Sequence, residues 1–247
     1  MDRTFKLTME YDGTHFCGWQ RQKNDRTVQE TIQAAIETMI GHPVAVAGSG
    51  RTDSGVHALG QPASFTCSTR LNGDALQNGL NSLLPDDVVI LSCQEMDPGF
   101  HARYSARRKI YRYRVLNRRI PEAVGRYYAW HIKRPLSVDN MSAAASLLIG
   151  TRDFKAFEGS GSPRSHTTRT IYRAEWMLEG EDYLIFEIEA DGFLRFMVRN
   201  IVGTLVEVGS GKRTATDMDK IVTSRDRSQG GPTAPAHGLF LVEVHYE

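Results

Sequence analysis

Apolar and polar residues alternate with two different periods in the first hundred positions of the chain. FKLTMEY (5–11) and QPASFTCS (61–68) alternate at every second residue, as half-buried strands do. Between them, the sequence from Thr27 to Glu30 has the spacing of a capping box, and Gly41 stands where a helix-ending glycine is expected. The helix predicted between these signals places four apolar residues on one side: Val28, Ile32, Ile36 and Met39.

Three more elements complete the first half. PVAVAG (43–48) is short, β-branched and apolar, which predicts a buried strand. Leucines recur at helical spacing between positions 76 and 83, ahead of Pro85, and VVILSCQE (88–95) is typical of another strand. The order of elements is therefore β-α-β-β-α-β, which is the ferredoxin-like arrangement.

The second half has similar patterns and predicts a second α+β unit. Its predicted elements are a strand at 110–116, a helix at 138–149 with Met141, Ala144, Ala145 and Leu148 inward, a hairpin over 168–190 turning between Glu179 and Asp182, an apolar helix at 193–209 and a closing strand at 239–246. We therefore predict an α+β fold of two ferredoxin-like (RNP-like) halves with mixed or antiparallel sheets. The N-terminal domain is placed at residues 1–105 and the C-terminal domain at residues 106–247.

Composition narrows the class of protein. The chain has 247 residues, of which 40% are hydrophobic and 24% charged, enough for a packed core. Its net charge is only +1, so any nucleic-acid surface must be a local patch. The three cysteines form no CxxC pair, which argues against a disulfide framework and a thiolate zinc site. No apolar run has the length of a signal peptide or a membrane span, so we expect a cytoplasmic protein.

Residues 48–61, GSGRTDSGVHALGQ, contain four glycines and one carboxylate, Asp53. The loop is not a Walker A motif, because no lysine follows Gly55, and not a Rossmann fingerprint, whose third glycine would fall on Asp53. Its glycines indicate sharp turns and close approach of another group to the backbone. Aspartate is also common in turns and caps, so spacing alone leaves a structural role for Asp53 open.

Residues 100–119, FHARYSARRKIYRYRVLNRR, contain eight lysines or arginines after Ala102 and no acid. Basic residues interleaved with aromatic ones are typical of phosphate contacts combined with base stacking. In the predicted strand, Tyr111 and Tyr113 face the side opposite to the arginines. Tyr111 is a candidate platform for a stacked base, although both tyrosines also suit a half-buried core, which we favour for Tyr113.

The helix predicted at 193–209 is apolar nearly all round, which is typical of a buried helix. Arg195 and Arg199 are four residues apart and would share one stripe of it. A buried guanidinium requires an anion, and Asp53 would serve. Alternatively, either arginine reaches solvent along its aliphatic stem, which we favour for Arg195.

Together these residues predict an ionised Asp53 with Arg199 as its counter-ion, Tyr111 as a stacking platform and Arg51 as a cation beside them. Carboxylates act as nucleophiles at glycosidic centres. Most glycoside hydrolases need two carboxylates, and only one has a special setting here, which favours transfer with the base retained over hydrolysis. Two other interpretations are a non-catalytic RNA-binding protein and a metal-dependent hydrolase that uses His57, His101 and Asp53.

The same segments resemble a known family. GSGRTDSGVHALGQ resembles the GRTDxGVHA motif of the TruA-type tRNA pseudouridine synthases. The resemblance extends along almost the whole chain. The other similar segments are YDGTHFCGWQRQ with TVQETIQ near the start, FHARYSA followed by KIYRYRV, FMVRNIVG, and TAPAHGLFLVEVHY at the end.

The resemblance implies a homodimeric synthase of two α+β domains around a central active-site cleft, with no cofactor. It implies conversion of uridine to pseudouridine at about positions 38–40 of the tRNA anticodon stem-loop. By motif position Asp53 is the catalytic aspartate, Arg199 its partner, Tyr111 the stacking tyrosine and Arg51 the residue associated with base flipping. Residues of the FHARYSA segment are expected to bind the substrate: Phe100, His101 and Arg103. The chain departs from the family at Phe196, where relatives often carry histidine.

Overall fold

The structure is a computed structural model that describes residues 2–159, 161 and 166–247. Contacts divide the chain into two compact units. Unit 1 comprises Met1–Arg107 with Phe240–Glu247, and unit 2 comprises Arg108–Leu239. The mixture of helices and strands confirms the predicted α+β class. The ferredoxin-like description and the domain boundary at 105/106 remain predictions.

Unit 1 contains a sheet and two helices. Its elements are β1 (Asp2–Tyr11), α1 (Val28–Ile40), β2 (Ala47–Gly48), β3 (His57–Ser68), α2 (Gly73–Leu83), β4 (Val88–Met96) and β10 (Leu239–His245), which begins on the last residue of unit 2. Strand β1 lies between β3 and β4, antiparallel to both, and β2 is antiparallel to β3. Strand β10 is parallel to β3, with Phe240 opposite His57. A run of fully buried side chains forms the core: Phe5, Leu7, Met9, Ile32, Ile36, Leu76 and Leu80.

Unit 2 contains both β-strands and α-helices. Its elements are β5 (Arg108–Leu116), β6 (Trp130–His131), α3 (Val138–Ser146), β7 (Gly150–Asp153), β8 (Thr168–Glu179), β9 (Tyr183–Ala190), α4 (Met197–Gly209) and α5 (Asp217–Ser224). The sheet order is β6–β5–β9–β8–β7, antiparallel except between β5 and β6. Helix α3 contacts both α4 and β8, so the core of this unit lies between the sheet and these two helices.

Most predicted elements are confirmed, with four corrections of extent. Only Ala47–Gly48 of the predicted strand 43–48 is a strand, although Val44 and Val46 are buried. Thr27 occupies the N-cap of α1, but its side chain makes no capping hydrogen bond, so the capping box does not form. The helix predicted at 138–149 ends at Ser146, although Leu148 beyond its end is buried as predicted. The apolar helix begins at Met197, not 193, because Phe196 has a φ of 60°. Strands β6 and β7 and helix α5 were not predicted.

Candidate functional site

The backbone on both sides of Asp53 is fixed by the segment that follows β1. Trp19 N–H donates to the carbonyl of Thr52 at 3.1 Å, and Gly55 N–H donates to the carbonyl of Phe16 at 3.2 Å. Val56 N–H closes a tight turn onto the carbonyl of Asp53 at 3.1 Å. Asp53 itself is half-buried. Its carboxylate is therefore carried by a loop whose backbone cannot readily shift.

Two glycines make this arrangement possible. Gly55 has a φ of +75°, which a side chain rarely permits. Gly18 has a φ of +88°, and a Cβ there would lie 2.7 Å from the carbonyl oxygen of Thr52. The glycines here thus allow a sharp turn and the close approach of two backbones, as the sequence predicted.

Buried side chains hold the same loop from beneath. The hydroxyls of Tyr11 and Thr52 share a buried hydrogen bond of 2.7 Å. Trp19 is 2% exposed, and its ring lies so close to Gly48 that a Cβ there would be 2.4 Å away. Gln61 Nε2 donates to Ser49 Oγ at 3.1 Å, which ties the start of the loop to β3. These contacts give the loop its shape before any substrate arrives.

The two histidines considered as metal ligands have structural contacts. His57 is buried, its ring stacks on Phe240 at 4.8 Å, and its Nδ1 accepts from Gly13 N–H at 3.0 Å. His101 Nδ1 accepts from the backbone N–H of Arg103 at 3.1 Å. Among residues 2–159, 161 and 166–247, no group of three or more His, Cys, Asp or Glu side chains is arranged to hold a metal ion. The hydrolase interpretation therefore has no ligand set in the part of the chain that the structure describes.

The remaining predicted substrate-binding residues of unit 1 lie on its surface or near it. Arg51 and Arg103 are exposed, and Phe100 packs on Tyr246 with ring centroids 5.1 Å apart. Tyr104, which the sequence analysis did not single out, is 75% exposed. Its ring lies 4.3 Å from that of His101 and 5.7 Å from the guanidinium carbon of Arg103. An exposed aromatic ring beside a cation is a group on which a base can stack.

Unit 2 carries the two predicted tyrosines on the inner side of β5. Tyr113 is fully buried, and its hydroxyl donates to the carbonyl of Pro235 at 2.8 Å, so it is a core residue as favoured. Burial raises the pKa of Tyr113, against the smaller opposing effect of the Arg199 charge. Tyr111 is 8% exposed and meets the ring of Phe193 edge-on at 5.0 Å. Its ring is thus largely buried and packed against Phe193.

Arg199 is held at the start of α4. Its Nε donates to the carbonyl of Ala234 at 2.7 Å, and Ala234 N–H donates back to the carbonyl of Arg199 at 3.1 Å. The guanidinium carbons of Arg199 and Arg195 lie 5.0 and 4.7 Å from the centroid of the Phe196 ring. Arg195 is exposed, as favoured, but it precedes the helix. The prediction that the two arginines share a helical stripe is therefore wrong.

The basic segment at 100–119 contains no acid of its own, but β8, β9 and the turn between them supply acids that pair with it. The inference that its charge is uncompensated is therefore wrong. Glu187 of β9 lies opposite Arg112 in register and binds its Nε and Nη2 at 2.9 and 2.7 Å. Three further arginines of the segment are paired in the same way. These ion pairs are Arg108–Glu189, Arg114–Glu179 and Arg118–Asp182. Half of the eight basic residues are thus engaged in ion pairs within unit 2.

We expect Glu187→Gln to destabilise the protein by about 1–3 kcal/mol near pH 7, since the wild-type carboxylate accepts charged hydrogen bonds from Arg112 and Arg173. Burial acts to raise the pKa of Glu187, but the hydrogen bonds and charges of the two arginines outweigh it and hold that pKa below its usual value. The carboxylate's contribution is therefore complete above about pH 5 and is lost as the pH falls through the lowered pKa.

The measurement is urea denaturation of wild type and Glu187→Gln across the pH range in which Glu187 becomes protonated. The difference in free energy of unfolding between wild type and Glu187→Gln should shrink toward low pH. A constant difference at every pH would contradict the ionised pairing of Glu187. Glu181→Gln, at an exposed acid in the turn between β8 and β9, is the matched control.

Most of the chain matches the sequence model of a known protein family. The family model described as tRNA pseudouridine synthase matches residues 7–105 and 144–247. These ranges include the Asp53 loop and the whole of α4. No helix among the described residues is long and apolar enough to cross a membrane.

Curated relatives match over their full length. A protein named tRNA pseudouridine synthase A from Acetivibrio thermocellus is 50% identical over 245 residues, covering 99% of this chain and 100% of that one. A protein of the same name from Thermoanaerobacter sp. is 48% identical over 244 residues, with coverage of 99% and 100%.

A solved complex of Cbf5, Nop10 and Gar1 aligns much more weakly. The identity is 12% and the TM-score 0.36, with coverage of 81% of this chain and 54% of that one. The chain thus spans about half the length of that solved protein, and a likeness this weak carries no argument.

Proposed function

The chain belongs to the tRNA pseudouridine synthase family, and from that premise we propose that it isomerises uridine to pseudouridine in tRNA through the carboxylate of Asp53. The single observation that carries the proposal is the setting of this residue. Asp53 is the one acid of a glycine-rich loop whose backbone is tied to Phe16 and Trp19, within a segment matched by the family. The expected sites are positions 38, 39 and 40 of the anticodon stem-loop.

The reaction rearranges one nucleoside without gain or loss of atoms. The bond between N1 and C1′ breaks, the uracil turns, C5 bonds to C1′, the C5 proton leaves and N1 takes up a proton. A carboxylate serves each route by which such a reaction begins: attack on the sugar, attack on the base, or removal of a sugar proton. A carboxylate on a pre-shaped loop needs little reorganisation to reach the transition state.

The substrate uridine lies in a stacked stem-loop, so it must first be extruded. Unstacking costs a few kcal/mol. We assign Arg51, which is exposed beside Asp53 in the loop, to the space that the base vacates. Phe100, His101 and Arg103 are assigned to contacts with the RNA, and the exposed ring of Tyr104 supports a binding role for that segment.

The proposed site joins the two predicted domains, residues 1–105 and 106–247, as ferredoxin-like halves around a cleft. Asp53 comes from the first, and Tyr111 and Arg199 come from the second. Arg199 as counter-ion would keep the Asp53 carboxylate ionised. Fixing of the Arg199 Nε by the carbonyl of Ala234 at 2.7 Å supports this role, because it gives the guanidinium a defined plane.

Release of tritium from a tRNA transcript labelled at C5 of uracil tests the function directly. Each isomerisation frees one C5 hydrogen, so an active enzyme releases tritium into water, and mapping of the product locates the modified uridines. A passive RNA-binding protein, the alternative function, would bind the transcript and release none. The homodimer and the lack of a cofactor are further proposals that rest on the family resemblance alone, and the cytoplasmic location is a proposal that rests on the sequence pattern.

Tyr111→Phe should retain tRNA binding and the folded structure, because the ring and its edge contact with Phe193 remain. Tyr111→Leu should lower turnover about 10- to 100-fold, since a base stacked on an aromatic ring gains about 1–3 kcal/mol. The two variants separate stacking from any role of the hydroxyl. Equal turnover in Tyr111→Leu and wild type, measured by tritium release, would remove Tyr111 from the site.

A further inference from the structure

A short stretch of unit 2 lies along the N-terminal half of helix α4 and contacts it between Arg199 and Thr204. We call residues 231–235 the strap. The facing side of the helix presents Asn200, Gly203 and Thr204, which are three and four residues apart and fully buried. The strap is therefore packed on one defined face of α4 rather than lying across the surface.

Successive strap residues are attached to α4. Gly231 N–H donates to Thr204 Oγ1 at 2.9 Å. The carbonyl of Pro232 crosses α4 at Gly203, where a Cβ would lie only 1.7 Å from its oxygen. Thr233 Oγ1 donates to Asn200 Oδ1 at 2.6 Å.

The last two strap residues turn their carbonyls to the side chains of Tyr113 and Arg199. The carbonyl of Pro235 accepts from the hydroxyl of Tyr113 at 2.8 Å. The carbonyl of Ala234 accepts from Arg199 Nε at 2.7 Å. A guanidinium is planar, so fixing its Nε–H fixes the plane in which the other N–H groups point.

Asn200 is the central attachment of the strap. Its Nδ2 donates to the carbonyl of Phe157 at 2.8 Å, and its Oδ1 accepts from Arg227 Nη2 at 2.9 Å as well as from Thr233. The side chain is 1% exposed. A buried amide whose nitrogen and oxygen are both hydrogen-bonded to defined partners holds those partners in one arrangement.

We propose that the strap, held by Asn200 through Thr233, is the positioning element of Arg199. Asn200 and Thr233 act through the carbonyl of Ala234 and not on the substrate. The chain of contacts runs from Asn200 to Thr233, along the backbone to the carbonyl of Ala234, and from there to Arg199 Nε. This inference rests on the proposed function for its effect on turnover, but its structural part stands without it.

Thr233→Val and Thr233→Ser form the matched pair that tests the proposal. Valine keeps the branched shape and removes the hydroxyl that donates to Asn200, whereas serine keeps the hydroxyl. We expect kcat for tritium release to fall roughly tenfold or more in Thr233→Val with KM for tRNA nearly unchanged, because a small misplacement of a catalytic group is costly. Thr233→Ser should restore most of the lost kcat. A rise in KM alone would instead make Thr233 a direct RNA contact and overturn the proposal.

The Nε–H signal of Arg199 in arginine-labelled protein gives a readout that does not depend on activity. It is assigned by its loss in Arg199→Lys. We expect slow exchange of this proton in wild type and Thr233→Ser and fast exchange in Thr233→Val, with closely similar melting temperatures. Protection that persists in Thr233→Val would overturn the proposal even if kcat fell.

A double-mutant cycle completes the test. If the strap acts only through Arg199, then Thr233→Val should cause no further loss of kcat in the Arg199→Lys background. Losses that multiply would mean that Thr233 acts independently and would refute the inference. If wild-type protein releases no tritium while the Nε–H exchange behaves as expected, the proposed function fails and the positioning of Arg199 stands.

Discussion

Asp53→Asn should abolish pseudouridine formation while the protein folds and binds tRNA as the wild type does. The amide is nearly the same size as the carboxylate, and the loop is held by backbone bonds from Trp19, Gly55 and Val56 that the substitution leaves in place. An amide is neither a nucleophile nor a base. Loss of such a group lowers turnover by about four orders of magnitude or more.

Single-turnover tritium release at saturating enzyme is the measurement for Asp53→Asn, together with tRNA binding by filter retention. Asp86→Asn is the control, since Asp86 is an exposed acid of the same unit. It should behave as wild type. Turnover of Asp53→Asn within tenfold of wild type would remove Asp53 from the chemistry.

Trp19→Ala should lower the free energy of unfolding by about 3–5 kcal/mol, the usual cost of removing a large buried ring. Trp19 is 2% exposed, and its ring fills the space that Gly48 leaves open. The cavity would lie directly under the loop that carries Asp53. We therefore expect turnover to fall about tenfold or more even under conditions where the variant is fully folded.

Trp176→Ala is the matched comparison in the other unit. Trp176 is 8% exposed and its ring packs on Phe186 at 5.1 Å, so a similar loss of stability is expected. Its effect on turnover of the folded protein should be small, because Trp176 contacts none of the proposed site residues in the described contacts. Urea denaturation measures the loss of stability in both variants, and single-turnover assays measure the loss of turnover in the folded proteins. Equal loss of turnover in both would show a general response to instability.

The spacing of apolar and turn residues predicted the features that depend on residues close together in sequence. The helix α1 and the hairpin of β8 and β9 follow from the spacing of apolar residues and from the turn residues between Glu179 and Asp182. Asp53 was found because a carboxylate among four glycines is unusual in sequence alone. The core position of Tyr113 followed from strand alternation.

Features set by distant neighbours could not be predicted in this way. Arg108 and Arg112 of β5 are paired with Glu189 and Glu187, which are more than seventy residues away in sequence and meet them because β5 and β9 are adjacent strands. The start of α4 depends on the backbone angle of Phe196, to which apolar periodicity is insensitive. The strap on α4 likewise has no periodic signal, since its attachment depends on single polar groups such as Asn200.

The pairing of β10 with β3 has a consequence for biosynthesis. Phe240 stacks on His57, Tyr246 donates to the carbonyl of Ala102 at 3.0 Å, and both belong to unit 1 although they follow all of unit 2 in the chain. A ribosome therefore translates every residue of unit 2 before it supplies the strand that completes unit 1. The aspartate loop is made early, but its unit can mature only after Phe240–Glu247 has been made, so a nascent chain that lacks these residues should not yet modify tRNA.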